Sequence, residues 1–162
     1  MRYKVLIAGI GNIFFGDDGF GVEVARELAQ LVLPAGIKVV DFGIRSLHLA
    51  FELLTPPELL ILVDVARRGG PPGTLYVIEP HSELEAAHHA ITGDAHGMNL
   101  HSLFTSLEAM GGHMPRTRIL GCEPGSLGEG MQLSPQVQRA VRPAIDLIRR
   151  LIAREVPDYE CA

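Results

Sequence analysis

The chain has 162 residues, 47% of them hydrophobic, with a formal net charge of −5 and no block of lysine or arginine. That describes one ordinary globular domain, excludes a disordered scaffold, and argues against nucleic acid or an anionic membrane as partner. Two cysteines, Cys122 in an apolar run and Cys161 beside the C-terminus, form neither a CxxC pair nor a disulfide framework, so a reducing cytoplasm is the expected compartment.

The opening "MRYKVLIAGIGN" has too short an apolar run and no small-x-small cleavage site, so it reads as a first strand, over residues 3–9, and not as a secretory signal. A helix follows over 19–32, with Val22, Ala25, Leu28, Ala29 and Val32 as its apolar stripe. A second strand is expected over 37–42 and a short helix over 46–54, stopped by Pro56 and Pro57. Strands at 59–65 and 74–79 flank the turn "ARRGGPPGT". A polar, histidine-rich connection, "PHSELEAAHHAITGDAH", leads into a helix over 98–110 that buries Leu100, Leu103, Phe104 and Leu107. A fifth strand at 118–122 precedes the glycine-rich loop "EPGSLGEGMQLS". The last helix has Ser134 as N-cap, Pro135 at its first position and a stripe of Val137, Val141, Ile145, Ile148 and Ile152. Pro143 should bend it or shift its boundary. Nearly continuous apolar strands alternating with amphipathic helices mean a mostly parallel sheet covered on both faces, an α/β single domain. No run approaches the roughly 18–20 apolar residues of a membrane span. No apolar stripe is left over once the helices are assigned, so a soluble monomer is expected.

The first turn, "GIGNIFFGDDGFG", imitates a dinucleotide loop but has Phe14 where the GxGxxG fingerprint needs its last glycine. Asp17 and Asp18 would repel a phosphate at that helix entrance. One of them could cap the helix; that explains one aspartate, not both. Ligands of open α/β sheets bind beyond the C-terminal strand ends. Those ends carry Asn12, Asp17 and Asp18 after strand one, Asp41 after strand two, Asp64 in "LILVDVA" and Glu123 in "LGCEP". A lone aspartate in an apolar strand is costly unless paired or solvated, which favours Asp64 as functional over a bond to a neighbouring loop amide. Of seven histidines, His96 stands out because "DAHGMNL" sets it immediately before a helix. Two carboxylates and an imidazole would make an open site for a divalent transition ion. No HExxH or GxSxG motif supplies a self-evident hydrolytic apparatus, and Cys122 reads as strand core.

"GIGNIFFGDDGFG", "LVDVARRGGPPGTLYVIEP", "DAHGMNL" and "ILGCEP", in that order and spacing, resemble the hydrogenase maturation proteases, the endopeptidases that process the large subunit of nickel-iron hydrogenases; the likeness spans residues 4–150. It implies a three-layer α/β/α domain with a five-stranded mixed sheet whose fourth strand is antiparallel. It also implies a metal triad at Asp18, Asp64 and His96, engaged by nickel that arrives with the precursor and is not permanently bound. The implied reaction is one cut that removes a C-terminal extension from the large-subunit precursor after nickel insertion. Asp41 is the candidate base; the family commonly has DGGT there and this chain has "DFGI", with Ile44 at the threonine position. Two other classes stay open: a non-proteolytic nickel carrier, and a nucleotide-binding regulator, which Phe14 and the acidic turn disfavour. The loops "HSELEAAHHAITGD" and "PGSLGEGMQ" are the candidates for recognising one particular precursor.

Overall fold

The computed structural model describes residues 2–80 and 100–157. His96, the other histidines of the 81–99 connection and Cys161 lie outside the described residues.

Five strands form one sheet in the order β2-β1-β3-β5-β4. They are β1 (Val5–Ile10), β2 (Ile37–Gly43), β3 (Leu59–Val65), β4 (Leu75–Ile78) and β5 (Thr117–Cys122). β1 lies parallel to β2 and β3, β3 lies parallel to β5, and β4 runs antiparallel on the outer edge of β5. Every residue of β1 and β3 is buried, because these central strands are covered on both faces, as their uninterrupted apolar runs require.

Side chains alternate between the two faces. Val5, Ile7, Leu59, Ile61 and Val63 join one core with α1 (Phe20–Ala29) and the C-terminal helix, Pro135–Glu155. Leu6, Ala8, Leu60 and Leu62 join a second core with α2 (Ser46–Leu53) and α3, described over Leu100–Ala109; the C-terminal helix is therefore α4. The result is the expected three-layer α/β/α arrangement, with the fourth strand reversed. Successive connections from β1 and β2 cover opposite faces, which opens a crevice above the β1–β3 boundary.

Three expectations need correction. The first helix ends at Ala29, Ala29 itself is exposed and Val32 is 99% exposed; the buried stripe instead begins with Phe20 and includes Val24. Of the bend or shifted boundary expected of Pro143, the shift does not occur: Pro143 lies within α4, which runs on to Glu155. The proline sits on the solvent side, as does Arg139 four residues earlier, whose carbonyl loses its helical donor there and can turn to water. Finally, α2 does leave an apolar stripe uncovered: Ile44, Leu47, Phe51 and Leu54, at spacings of three and four, are all exposed. The leftover-patch argument for a monomer therefore fails.

Candidate functional site

The crevice is built by a tight turn after β1. Gly11 has φ +136°, and a Cβ there would lie 1.8 Å from the Asp18 carbonyl oxygen, so only glycine lets the chain fold back on itself. Gly21, early in α1, lets the helix press onto the strand ends: a Cβ would lie 2.0 Å from the Val63 carbonyl and 2.4 Å from that of Ile10. Between them a 3-10 turn, Gly16–Gly19, carries the two adjacent aspartates.

The two have opposite surroundings. Asp17 is fully buried. Its Oδ2 accepts from the N–H groups of Gly125 and Ser126 at 2.7 and 2.8 Å and from the Ser134 hydroxyl at 2.8 Å; its Oδ1 accepts from Ser134 N at 2.6 Å. Backbone bonds reinforce this seam, with Asp17 N donating to the Ser126 carbonyl and Gly16 N to that of Gly130. Asp17 is thus the clasp of the glycine-rich loop 124–134. Neither aspartate caps α1, whose N-cap is Gly19, and Ser134, although it occupies the N-cap position of α4, gives its hydroxyl to Asp17 instead of to its own helix.

Asp18 points the other way. Its Oδ2 accepts from Asn12 N at 2.9 Å, and its burial raises its pKa while that N–H pulls in the opposite sense. Its charge reaches Asp64, which is buried near the end of β3 and whose Oδ1, among the described residues, accepts from the next amide, Val65 N, at 2.7 Å. Burial first, and then the Asp18 charge, push the Asp64 carboxyl well above the usual carboxylate range against the pull of the Val65 N–H. No lysine or arginine pairs with either carboxylate among the described residues. Of the strand-end carboxylates, the structure couples Asp18 and Asp64, the two that the family resemblance selects. Among the described residues no third histidine, cysteine, aspartate or glutamate completes a ligand cluster with them.

The other candidates stand apart. Asp41 has the parity of Val39, which packs on the α1 core, and its Oδ2 meets Arg26 Nε of α1 at 3.3 Å; Asp64 has the parity of Leu60 and Leu62, on the opposite face. Glu123 is a second clasp. It accepts from Arg68 N at 2.7 Å, Gly69 N at 3.2 Å and the Tyr76 hydroxyl at 3.0 Å, tying the 66–74 turn to the end of β5. Although burial opposes its ionisation, those donors together with the Gly70 N–H hold its pKa below the ordinary value. Cys122 is strand core, its thiol pushed up to about 12 by burial and by the charges of Asp17 and Glu123. Sequence reasoning missed both clasps. The available signal was that a glycine-rich loop and an "RRGG" turn expose many backbone N–H groups that need acceptors.

Two carboxylates, one buried and one at the crevice mouth, offer oxygen donors to a divalent cation and gain from its charge. They offer nothing to a phosphate.

Residues 22–151 match the family model described as hydrogenase maturation protease. A hydrogenase expression/formation protein, HupD of Rhodobacter capsulatus, is 31% identical over 153 residues, covering 93% of this chain and 72% of its own. The hydrogenase 2 maturation protease of Escherichia coli is 23% identical over 146 residues, covering 90% and 88%. Among solved structures, a hydrogenase 2 maturation peptidase from a Thaumarchaeota archaeon aligns with TM-score 0.69 at 29% identity, covering 94% of this chain and 99% of that one. The maturating endopeptidase HybD of E. coli aligns with TM-score 0.81 at 23% identity, over 96% and 94%, a likeness of fold.

Proposed function

Because the chain belongs to the hydrogenase maturation protease family, we propose that it removes the C-terminal extension of a nickel-iron hydrogenase large-subunit precursor once nickel has been inserted. The observation that carries this reading is the Asp18–Asp64 pair: a buried carboxylate facing a second one, with no basic partner among the described residues. Such a pair is held at a cost in the free protein and is relieved by a divalent cation. Carboxylate oxygens, with the imidazole of His96 as a third donor, suit a borderline ion such as nickel and leave positions for the ligands that nickel already holds in the precursor. The metal belongs to the substrate, and its engagement by Asp18 and Asp64 holds the precursor's C-terminal peptide in the crevice. Nickel so placed supplies Lewis acidity toward the peptide or an attacking water. The rest is done by the protein: the turn 11–18 fixes Asp18, β3 fixes Asp64, and the Asp17 clasp holds the 124–134 loop against that turn.

Mass spectrometry of nickel-loaded precursor incubated with the protein, beside nickel-free precursor and an Asp18→Asn variant, tests the reading. Loss of a C-terminal peptide only with nickel and wild-type protein supports it. Intact precursor, with nickel passing to this protein, would replace it with the carrier reading.

A further inference from the structure

The acidic pair creates a difficulty that the protein must answer elsewhere. Peptide hydrolysis puts negative charge on the carbonyl oxygen, and two carboxylates engaged with the substrate's metal supply no hydrogen-bond donor to it. Donors are needed close by. Along the turn 11–18, Gly11 N donates to the Gly43 carbonyl, Phe15 N to that of Asn12, Gly16 N to that of Gly130, Asp17 N to that of Ser126 and Asp18 N to that of Phe15. Asn12 N goes to Asp18 Oδ2 and Phe14 N to Asn12 Oδ1 at 3.0 Å. Among the described residues, two donors of this turn have no hydrogen bond: the Ile13 backbone N–H and the Asn12 side-chain amide. The orientation of that amide is not ambiguous. Phe14 N–H can only donate, so the atom it meets is Oδ1 and the NH₂ group faces away from it.

We infer that the Asn12 side-chain amide, assisted by the neighbouring Ile13 N–H, receives the carbonyl oxygen of the peptide to be cut; this rests on the protease reading. The Phe14 N–H bond to Oδ1 holds the side chain in place, and the Asn12 N–H bond to Asp18 Oδ2 keeps the residue beside the acidic pair that would hold the peptide. In the step it serves, the oxygen of water bonds to the carbonyl carbon and the carbonyl electron pair moves onto oxygen, where Asn12 and Ile13 donate to it. The C–N bond then breaks, and a proton from the water ends on the departing amine. Asn12 is a catalytic residue in this scheme because it touches the reacting atom.

Two variants separate this role from the turn. Asn12→Asp keeps the acceptor for Phe14 N and removes the NH₂ donor but adds a charge. Asn12→Ser keeps a short acceptor without adding charge, and its hydroxyl sits too far back to replace the amide. Rates of precursor cleavage, the Kd for nickel-loaded precursor and thermal midpoints are measured for both. The expected result is a fall of about 10²-fold or more in kcat, with Kd and midpoint close to wild type for Asn12→Ser. Turnover within about twofold of wild type in both variants would overturn the inference and leave Asn12 as a turn residue. A rate loss matched by lost precursor binding would overturn it too. If wild-type protein fails to cut, the protease reading falls and the inference with it, whereas a cutting wild type with unimpaired Asn12 variants sinks the inference alone.

Discussion

Asp17 and Asp18 are neighbours in the chain and belong to different halves of the molecule's chemistry. On one side, Asp17 is sealed in, each of its oxygens occupied by donors from the 124–134 loop and the start of α4. On the other, Asp18 has one backbone donor among the described residues, and its charge reaches the buried Asp64 carboxyl. The first half converts a buried charge into structure, since a carboxylate surrounded by N–H and O–H groups is a net stabiliser. The second keeps a buried charge under-compensated, a cost with no structural return. Unrelieved cost at the mouth of a crevice is where binding energy for a cation resides.

The largest effect should come from breaking the sealed half. Every group around Asp17 is a donor, so Asp17→Asn turns an NH₂ toward another donor whichever way it flips. We expect a loss of at least about 3 kcal/mol, a fall in Tm of roughly 6–12 °C by calorimetry, and a 124–134 loop newly sensitive to proteolysis. An unchanged Tm would mean the clasp contributes no stability. The opposite sign is expected in the open half. Asp64→Asn removes a buried charge and its repulsion from Asp18, so the free protein should gain about 0.5–2 kcal/mol while precursor cleavage is lost. A variant less stable than wild type would show that Asp64 is a structural residue like Asp17, and the contrast between the halves would collapse.

Glu123 sharpens the contrast through pH. It is the milder clasp, with one of its donors at 3.2 Å and another a hydroxyl that can reverse. Its pKa is lowered in the folded state, so the folded chain binds fewer protons than the unfolded one. Its stabilisation is therefore present above the ordinary glutamate value of about 4.3 and is lost as pH falls through the lower, folded value. Glu123→Gln should be less stable than wild type at pH 7, with the gap closing below about pH 4.3. A gap that stays constant with pH would assign the loss to shape and not to charge.

Much of this was legible from residue patterns, and the limits have physical causes. The strands, the helical faces and the place of Asp18 and Asp64 at strand ends follow from rules of period and placement: apolar runs mark buried strands, and ligands bind beyond C-terminal strand ends, but the choice of Asp18 over Asp17 came from the family resemblance. The end of α1 was misread because Val32 continues a periodicity that the chain does not use; periodicity extends a stripe but supplies no stop signal. The role of Asp17 was hidden because its partners lie more than a hundred residues away, in a loop of glycines and serines with no period of its own. Ser134 was given the right position and the wrong partner for the same reason. The exposed stripe of α2 reads as core, since apolar spacing cannot say whether a cover exists.

Asp41 carries the smallest expected effect and the finest distinction. As a carboxylate at a strand end it resembles Asp18 in sequence, but in the fold it faces α1 and meets Arg26, with both side chains partly exposed. An exposed ion pair contributes at most about 1 kcal/mol, so Asp41→Asn should leave Tm nearly unchanged. It should also leave cleavage within about threefold, because its carboxylate lies on the face of the sheet away from Asp64. General-base catalysis contributes about 10²–10⁴-fold, so a loss of that size, with precursor binding intact, would require Asp41 to leave Arg26 and turn into the crevice when the substrate arrives. An Arg26→Gln variant separates the two cases. It frees Asp41 without removing it, and should raise the rate if that swing is part of the cycle and leave it unchanged if Asp41 only pairs with α1.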